Sequence, residues 1–571
     1  MDRLLLGPHA PEPHASDPHA GPAEEAALGA LLRCWLREVG GPRGHVRAAG
    51  PHLTLRVAGT PVRVRARGGI ALRFDGPPEH LVTGEGAEGR WRPLNLPALV
   101  ALLERELDGG NEEFAAQVRA GREAIAAILA ARERAVPPAD PWLASEQALV
   151  AGHPFHPAPK AHGGDGWLDY APETHARFAP RLLGVRADLV AQEGDTAALD
   201  AFGGAPAGYL PLPAHPWQLD LLAADLRGPL ADGRLVDLGP GPRAVVPTSS
   251  VRTVYDPGTG MCLKFSLNVR ITNCVRKNAW YELSGAVELT RRLSPVFDRL
   301  ARRFPGTRWL PEPGYRSAAL GTRLLEGLGV IVRTGPWGVC GPGITPVLAA
   351  ALAAGADGVP RAVLARRAAD PVAWWEAYVE RVAYPVLDAF FRHGVVLEAH
   401  VQNVLVGFDA AGWPVEAVFR DLEGTKLVAG RHDLTGLPGE VAAPLSYDAA
   451  GGWNRVAYCL FVNHLAEVAA TVADTVAGTV DDVLRALWAA ARATLSRYVE
   501  DHAAGPAEPL TRLLAGAPLP AKANLGVRWA RAADRTAGYV PVPNPLAQPG
   551  QRVIGGQTGV ETLTEVCGER G

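Results

Sequence analysis

The most informative stretch of the sequence covers residues 394–424 and reads GVVLEAHVQNVLVGFDAAGWPVEAVFRDLEG. Its apolar runs and turn residues predict two strands over residues 404–408 and 415–419, joined by a turn at residues 409–412. Long helical patterns lie elsewhere in the chain. The sequence therefore predicts a fold of the α+β class.

Polar residues stand at both ends of this hairpin. Asn403 precedes the first strand and Asp421 follows the second, so a hairpin of this length returns Asp421 beside Asn403. Asn and Asp in such a place hold the Mg²⁺ of a nucleoside triphosphate in kinase-like phosphotransferases. Where a protein kinase has its catalytic Asp, this sequence has His400 and Gln402, which argues against simple phosphorylation of a hydroxyl. An ordinary hairpin with polar ends is the alternative.

A second dense segment covers residues 247–278 and reads PTSSVRTVYDPGTGMCLKFSLNVRITNCVRKN. It predicts two strands, residues 250–255 and 262–269, around a Pro-Gly-Thr-Gly turn. Hydroxyls, a guanidinium and an ammonium on such a hairpin suit polyphosphate oxygens. The residues predicted to bind phosphate are Ser250, Arg252, Thr253 and Lys264. Those predicted to meet a second anion, such as a carboxylate-rich substrate, are Thr272, Arg276 and Lys277. A basic, half-buried sheet face with surface ion pairs is the alternative.

Histidines and prolines mark two further segments, GHPFHPAPKAHGG at residues 152–164 and HPWQ at residues 215–218. His153 and His156 have a spacing that zinc ligands use, but the prolines preclude a regular helix and no third ligand is obvious. Phosphate contacts or hydrogen bonds that lock the loop are the preferred interpretation for these histidines and Lys160. Packing against a core is an equal alternative for HPWQ.

Lysine is scarce in this chain. Five of the 57 basic residues are lysines, and all five fall in polar segments that are rich in motifs. A compact ammonium fits tight phosphate or carboxylate contacts where a broad guanidinium does not, so these positions are predicted to be functional. The lysines are Lys160, Lys264, Lys277, Lys426 and Lys522.

Composition excludes several classes of function. A net charge of −3 with 20% charged residues gives no basic field for nucleic acid, so the expected partner is a small molecule. No run of about 18 apolar residues and no secretory leader is evident, which makes the cytoplasm the expected compartment and a membrane an unexpected partner. Six cysteines without a C-x-x-C pair suggest neither a disulfide framework nor a cysteine-rich zinc site.

The length of 571 residues predicts two or three subdomains around a cleft. Residues 1–22 repeat Pro-His-Ala and are predicted to be a disordered tail. Helical patterns cover residues 24–39, 95–107 and 111–135, and a hairpin is predicted around Ala58-Gly59. Pro137-Pro138 closes this first unit.

Taken in order, these segments resemble the NRPS-independent siderophore (NIS) synthetases, the aerobactin synthetase IucA/IucC family. The resemblance spans roughly residues 145 to 530, whereas the first 140 residues match only in general character. The segments that carry it are GHPFHPAPK, HPWQ, PTSSVRT, the strand of Lys264, ITNCVRKN, EAHVQN, RDLEG and LPAKANL with its downstream Arg528.

The resemblance implies a cupped-hand architecture of thumb, fingers and palm, with ATP and an acid in the central cleft. The implied subdomains are a thumb over residues 23–137, fingers with the ATP-binding hairpin over 138–335, and a helix-rich palm with the magnesium motif over 336–571. The residues implied to bind ATP are Ser250, Arg252, Thr253 and Lys264, with His153, His156 and Lys160 nearby, and with Asn403 and Asp421 also holding Mg²⁺. Those implied to face the acid, its adenylate or the nucleophile are Thr272, Arg276, Lys277, His400, Gln402, Lys522 and Arg528.

The reaction implied is a ligation in which ATP activates a carboxylic acid as an acyl-adenylate and releases pyrophosphate. An amine, hydroxylamine or alcohol then displaces AMP. His400, Arg276 and Lys264 are the expected catalytic residues, and His400 would orient the adenylate or take a proton from the nucleophile. Citrate, 2-oxoglutarate and citryl or succinyl derivatives stay open as the acid, and a homodimer stays open as the assembly.

Two other functions are compatible with parts of the sequence. A kinase-like Mg-ATP phosphotransferase is supported by the Asn403/Asp421 hairpin and would produce ADP. A non-enzymatic citrate or ferric-siderophore binding protein is supported by the anion-binding residues and would turn over no ATP.

Overall fold

A computed structural model describes residues 18–49, 51–82, 89–160, 166–271, 274–366, 370–503, 505, 507–532 and 538–548. For residues 270, 271 and 274–276 only the backbone is described. Helices and strands alternate irregularly and the sheets are almost entirely antiparallel, which confirms the α+β class. Residues 1–17 of the predicted tail lie outside the described residues, and the first helix begins at Ala20.

The helices form where Ala, Leu and Arg dominate, and several begin behind a side chain that accepts a first-turn N–H. Asn95 and Asp370 are two such caps. The three helices predicted in the N-terminal unit are confirmed, each within a few residues. The helices are Ala20–Trp35, Leu96–Glu106, Phe114–Arg132, Pro141–Glu146, Ala197–Asp200, Pro216–Leu221, Ala223–Ala231, Trp280–Arg303, Thr322–Gly327, Ala349–Ala353, Val359–Arg366, Pro371–Phe391, Gly439–Leu445, Ala449–Ala457, Ala466–Asp474, Val480–Asp501, Glu508–Leu514 and Asn524–Trp529, with π-helical turns at Leu36–Gly40 and Tyr458–Leu465.

An antiparallel sheet follows the first helix and contains the predicted hairpin. Ala58 and Gly59 at its tip have φ of 47° and 79°, the left-handed geometry of a two-residue turn that matches the strand twist. In spatial order the strands are Val46–Ala49, His52–Val57, Thr60–Val64, Glu79–Val82 and Arg90–Pro93.

A six-stranded antiparallel sheet contains the second predicted hairpin, with both strands shorter than expected. Thr253 N donates to Ser250 O at 3.0 Å and Thr248 N donates to Thr253 O at 2.9 Å, which closes a turn. Ser250 and Arg252 therefore lie in this turn and not on the strand. The strands in spatial order are Val246–Pro247, Thr253–Asp256, Met261–Phe265, Val330–Thr334, Gly314–Ala318 and Val190–Gly194.

The second strand of that hairpin ends at Phe265 because Ser266 turns away, with its N–H donating to Gly329 O at 3.1 Å. A new two-stranded ribbon, Leu267–Ile271 with Cys274–Arg276, follows. The smaller sheets in the described residues are Tyr209–Ala214 with Arg181–Arg186 and Leu235–Pro240, Val395–Val396 with Lys426–Val428 and Ser446–Tyr447, Leu519–Lys522 with Tyr539–Val542, and Ala66–Arg67 with Arg73–Phe74.

The hairpin predicted from residues 394–424 is confirmed. Val404–Phe408 pairs with Pro414–Phe419, and Val404 lies opposite Phe419. Thr307–Trp309 and Thr345–Leu348 complete this four-stranded sheet. The strand Thr307–Trp309 of this sheet is followed in the chain by Gly314–Ala318 of the six-stranded sheet. Residues 310–313 therefore join the two sheets.

The largest hydrophobic core surrounds the helices Pro371–Phe391 and Val480–Asp501. It also takes in side chains of Trp280–Arg303, a helix that the resemblance assigned to the fingers, and the subdomain boundaries stay predictions. The continuous helix Ala449–Asp474 is long and apolar enough to cross a membrane, but its apolar stretch is wholly buried inside this core. A second core joins the N-terminal helix and sheet to Phe155 and Leu525.

Candidate active site

Charged side chains gather where the six-stranded and four-stranded sheets meet. Lys264, only 2% exposed, points its Nζ at Asp421 Oδ1 and Glu423 Oε2, each at 3.0 Å. Lys264 comes from the six-stranded sheet, and both carboxylates follow the last strand of the hairpin. The two predicted halves of the nucleotide site are therefore in direct contact.

The link between the two sheets adds a carboxylate that the sequence interpretation missed. Glu312 is fully buried, and its Oε1 accepts from Arg333 Nε at 2.8 Å and lies 3.9 Å from Lys264 Nζ. Arg333 also donates to Asp421 Oδ1 at 3.3 Å. The second oxygen of Glu312, Oε2, has no hydrogen-bond partner among the described residues.

Arg252 completes this group from the turn before the hairpin. Its Nη2 lies 2.6 Å from Glu423 Oε2, and its Nη1 donates to Asn278 Oδ1 at 2.8 Å. Asn278 is fully buried and donates to the backbone oxygen of Lys264 at 3.2 Å, so one amide connects the Arg252 side chain to the strand that carries Lys264. We call this group the charge cluster, and its members are Arg252, Lys264, Arg333, Glu312, Asp421 and Glu423.

Charges within the cluster keep Asp421, Glu423 and Lys264 ionised. Burial alone raises the pKa of Asp421, but the charges of Lys264, Arg333 and Arg252 hold it well below its usual range. Burial likewise opposes ionisation of Glu423, yet Lys264 and Arg252 lower its pKa to about 2. Burial lowers the pKa of Lys264, and the surrounding carboxylates more than reverse this. Three buried cations are therefore fixed beside buried Glu312 and beside Asp421 and Glu423, whose side chains are 35% exposed.

The donor set at the end of the hairpin fits a magnesium ion. Arg420 N donates to Asn403 O at 3.1 Å, which brings the residues before and after the hairpin together as predicted. Asp421 has a φ of 71°, a strained left-handed backbone for a residue with a side chain. Lys264 and Arg333 both donate to its Oδ1. Carboxylate and amide oxygens are the ligands that Mg²⁺ prefers, and the orphaned Oε2 of Glu312 is a further oxygen nearby.

A buried ion pair supports the loop before the hairpin. Arg420 and Glu146, both buried, form a bidentate salt bridge. Arg420 Nη2 also donates to Ser249 Oγ at 3.0 Å and to Gln402 O at 2.8 Å. The side chain of Gln402 donates to Ser249 O at 3.0 Å. Gln402 was predicted to bind substrate, but its amide ties the two motif segments to each other.

Neutral polar side chains form a second group around His400. His400 Nδ1 accepts from Gln402 N at 3.2 Å, and His153 Nδ1 accepts from Phe155 N at 3.0 Å. The side-chain amide of Asn463 lies 2.9 Å from His153 Nε2. We call this group the histidine cluster, and its members are His153, His400, Asn463 and His464.

Burial keeps the histidine cluster neutral. It lowers the pKa of His153 to about 3 and that of His464 to about 4, and it also lowers the pKa of His400. The charge of Lys522 contributes to the lowering at both His153 and His400. The structure therefore brings Lys522, from the C-terminal segment, into the neighbourhood of His400.

The segment that carries Lys522 is held by the N-terminal unit. Glu38 accepts from Leu525 N with one oxygen and from Gly526 N with the other, each at 2.9 Å. Asn524 Nδ2 donates to Phe155 O at 2.8 Å, and Asn111 Nδ2 donates to Arg528 O at 3.1 Å. Chain segments that lie far apart in sequence thus shape one side of the site.

The other residues predicted to bind ATP or substrate lie outside the two clusters or outside the described residues. Thr253 lies opposite Lys264 on the hairpin. Lys160 pairs with buried Glu173, and Lys277 pairs with Glu326. His156 Nδ1 accepts from Ala158 N at 3.1 Å, which is a loop-locking hydrogen bond. Thr272 lies outside the described residues, and so does the side chain of Arg276, whose backbone ends the short strand of the ribbon.

Several residues of the site were not singled out from the sequence. Arg420 and Glu423 lie inside the RDLEG motif, and Asn278 follows Lys277 directly, so those motifs contained the signal. Asn463 and His464 interrupt the apolar run CLFVNHLAEVAA, and such polar residues in a buried helix need partners. The residues missed are Glu146, Ser249, Asn278, Glu312, Arg333, Arg420, Glu423, Asn463 and His464.

Comparison with known families matches two parts of the chain. Residues 141–354 match the family described as the IucA / IucC family. Residues 372–537 match a family described as ferric iron reductase FhuF-like transporter.

Curated relatives have roles in siderophore biosynthesis. One is the rhizobactin siderophore biosynthesis protein RhbC of Rhizobium meliloti, 33% identical over 50% of this chain and 54% of that protein. Another is the L-2,3-diaminopropanoate–citrate ligase of Staphylococcus aureus, 31% identical over 58% of this chain and 63% of that protein. The chain thus spans between half and two thirds of the length of these relatives.

The fold as a whole matches a solved structure. ATP-bound aerobactin synthetase IucA from a hypervirulent pathotype of Klebsiella pneumoniae superposes with a TM-score of 0.77 at 24% identity. The match covers 92% of this chain and all of that one. The similarity in fold therefore includes the N-terminal unit, which showed no specific sequence motif.

Proposed function

We propose that this chain is a siderophore-biosynthesis ligase of the IucA / IucC type, which uses ATP to join a carboxylic acid to an amine, hydroxylamine or alcohol; the family match over residues 141–354 supports this. The relative from S. aureus is a citrate ligase, and this supports citrate or a citryl derivative as the acid. Because ATP is the activating substrate, the proposed location is the cytoplasm.

The observation that carries the proposal is the charge cluster. Three buried cations, Arg252, Lys264 and Arg333, converge where the hairpin motif ends. A triphosphate needs such fixed positive charge when a carboxylate oxygen attacks the α-phosphorus and negative charge builds on the departing pyrophosphate. Buried cations supply this stabilisation without reorganising solvent, and the three carboxylates beside them fix their positions until a phosphate is present.

Asn403 and Asp421 are the residues that would hold Mg²⁺, with Glu312 Oε2 as a further oxygen. When bound, the ion would neutralise part of the charge on the phosphates. Arg333 and Lys264 hold Asp421 in place and ionised, so that its carboxylate stays a ligand throughout the usual pH range. The strained backbone at Asp421 is consistent with a functional residue.

His400 fits one of its two expected roles better than the other. Its Nδ1 accepts the Gln402 N–H, so in the neutral ring the proton is on Nε2. Its lowered pKa keeps the ring neutral near pH 7. Such a ring can donate a hydrogen bond through Nε2 and has no free lone pair for a proton. We therefore propose that His400 orients the acyl-adenylate as a donor and does not act as the base.

Lys522 is proposed to bind the acid or the nucleophile. Its charge contributes to the lowered pKa of His153 and of His400, which supports a role near His400. Thr272 and Arg276 are proposed for the acid on the family resemblance alone. In the second half-reaction the nucleophile attacks the acyl carbon, and AMP leaves.

The decisive experiment is a hydroxylamine-trapping assay with ATP, Mg²⁺ and a panel of acids that includes citrate, because it reports adenylation without the natural nucleophile. Pyrophosphate release is expected with citrate or a citryl derivative, and AMP is expected when a nucleophile is added. ADP as the product would favour the kinase-like alternative. Absence of ATP turnover with every acid would favour a binding protein.

A further inference from the structure

Two consecutive residues of a buried helix contact the loop that carries His400. Asn463 and His464 lie in the π-helical turn Tyr458–Leu465, and His464 is fully buried. A π-helical turn widens the helix by one residue and re-aims the side chains that follow it, and such turns are frequent at functional sites. This turn aims both residues at the segment 399–401.

His464 fixes the residue before His400. Its Nδ1 lies 2.9 Å from Ala399 O, and its Nε2 lies 2.7 Å from the hydroxyl of Tyr378. A carbonyl only accepts, so the ring proton is on Nδ1 and Nε2 accepts from the Tyr378 O–H. Tyr378 is also fully buried. The chain Tyr378, His464, Ala399 is thus a one-way series of hydrogen bonds with both ring nitrogens used.

Asn463 fixes the residue after His400. Its Oδ1 accepts from Val401 N at 3.3 Å, while its amide nitrogen lies 2.9 Å from His153 Nε2. Val401 O in turn accepts from Ala350 N at 2.9 Å. The backbone is therefore held on both sides of His400, and the same amide connects it to His153.

We propose that Asn463 and His464 are positioning residues that set the orientation of the His400 ring, with Tyr378 fixing the tautomer of His464. This inference rests on the proposed function in that His400 faces the acyl-adenylate. If His464 and Asn463 served only to satisfy their own hydrogen bonds in the core, their partners need not lie on either side of one loop residue. Here the contacts fall on the two residues that flank His400.

The test is a double-mutant cycle on the rate of acyl coupling, with wild type, His400→Ala, His464→Phe and the double variant. His464→Phe alone is expected to lower the rate about tenfold, since a misplaced catalytic group loses its geometry. In the His400→Ala background the same change is expected to have no further effect. Equal losses in both backgrounds would overturn the proposal.

Two variants control for a general loss of structure. His464→Asn places an amide N–H where the Nδ1–H stood and is expected to restore most of the rate. Tyr384→Phe removes a buried hydroxyl from the same helix as Tyr378, one that donates to Thr494 O at 2.8 Å, and is expected to leave the rate unchanged. A rate loss in Tyr384→Phe as large as in Tyr378→Phe would contradict the proposal. If His464→Phe does not fold, Tyr378→Phe takes its place in the cycle.

A second readout separates this inference from the proposed function. In protein with ¹⁵N-labelled histidine, the His400 signals, assigned by difference against His400→Ala, are expected to report the Nε2–H tautomer in the wild type and a mixture in His464→Phe. Unchanged His400 signals in His464→Phe would overturn the inference whether or not the protein is a ligase. If wild type never releases pyrophosphate, the proposed function fails and the tautomer still decides the inference.

Discussion

The charge cluster and the histidine cluster meet at the loop of residues 400–403 but are built from different chemistry. The first consists of buried and half-buried ions, and the charges around Lys264, Asp421 and Glu423 hold these three ionised. The second consists of buried neutral groups that burial keeps uncharged. Fixed charge suits phosphates, whereas fixed neutral donors suit an acyl group whose reacting carbon is uncharged. The two halves of the proposed reaction thus have separate surroundings.

This contrast predicts different sensitivities. Removing one partner of a buried ion pair leaves an uncompensated charge, which costs about 3 to 5 kcal/mol. Removing a neutral partner leaves an unsatisfied group, which costs about 1 to 3 kcal/mol. Substitutions in the charge cluster should therefore have the larger effects.

Lys264 gives the strongest way to break the comparison. Lys264→Met leaves Asp421 and Glu423 without their central cation, and pyrophosphate release is expected to fall by about a thousandfold. Lys264→Arg is expected to stay at least about tenfold below wild type, because a planar fork does not fit the space of a buried ammonium. A radiolabelled pyrophosphate exchange assay measures both.

Arg181→Met is the matched control for Lys264, since it breaks an exposed pair with Asp237 and should leave the rate unchanged. Circular dichroism melting shows how much of the Lys264→Met effect is unfolding. A folded Lys264→Met protein with a near-normal exchange rate would remove the charge cluster from the mechanism.

His400 tests the neutral half of the site. His400→Ala removes the Nε2 donor and is expected to lower coupling about a hundredfold. His400→Gln places an amide N–H near the Nε2 position and is expected to recover about half of that loss on a logarithmic scale. His400→Glu offers an acceptor only, so recovery by Glu and not by Gln in a steady-state coupling assay would show that His400 is the base.

Glu38 extends the comparison to a carboxylate outside both clusters. Burial raises its pKa to about 7 from an ordinary value of 4.5, although the N–H groups of Leu525 and Gly526 and the charge of Arg37 oppose this. Because the folded protein binds this proton more tightly than the unfolded chain, the stabilisation is present at low pH and lost as the pH rises through about 7. Wild type should thus lose about 2 kcal/mol relative to Glu38→Gln between pH 5 and pH 8.

The measurement for Glu38 is the difference in melting temperature between wild type and Glu38→Gln across that pH range. Glu104→Gln, an exposed change on the helix Leu96–Glu106, is the control and should show no trend. A difference that grows in favour of wild type as the pH rises would mean that Glu38 is ionised and stabilising in the folded protein.

Gln402 gives the smallest expected effect and sharpens the comparison, because it links His400 of the histidine cluster to Ser249, which precedes Arg252 of the charge cluster in the chain. Its backbone N–H donates to His400, and its side chain donates to Ser249 O, beside the turn that carries Ser250 and Arg252. Gln402→Met removes only the side-chain bond, which costs about 1 kcal/mol. The KM for ATP is expected to rise a few-fold with kcat unchanged. A fall in kcat at constant KM would place the Gln402 side chain on the acyl side instead.

Much of the fold could be predicted from the sequence because the local hydrophobic patterns match the strand pairing in the folded protein. The hairpins at residues 52–64 and 404–419 follow from alternation and turn residues, and both are present. The strand over residues 250–255 was predicted too long because Thr248 and Thr253 close a turn through backbone hydrogen bonds that no side-chain pattern reveals. The break at Ser266 likewise depends on Gly329, which is distant in sequence.

The site residues that lie in sequence motifs were predicted, and those whose role depends on tertiary contacts were not. Lys264 and Asp421 stood out as polar residues in conspicuous motifs, and they are in contact. Glu312 and Arg333 lie in segments without a motif, and their role depends on how two sheets are joined. Asn463 and His464 depend on the π-helical turn, whose extra residue the apolar periodicity of the helix does not report.

The hydrogen bond from Leu525 N to Glu38 has a consequence for the synthesis of the protein. The two residues are separated by 487 positions, so at the usual synthesis rates of about 5 to 20 residues per second, roughly 25 to 100 s pass between their emergence from the ribosome. During that interval the helices Leu96–Glu106 and Phe114–Arg132 can already pack on the N-terminal helix, but Glu38 and the part of this core that Leu525 covers still lack their last partner. Slower codons late in the message would lengthen the time for which this patch is open to aggregation or chaperone capture.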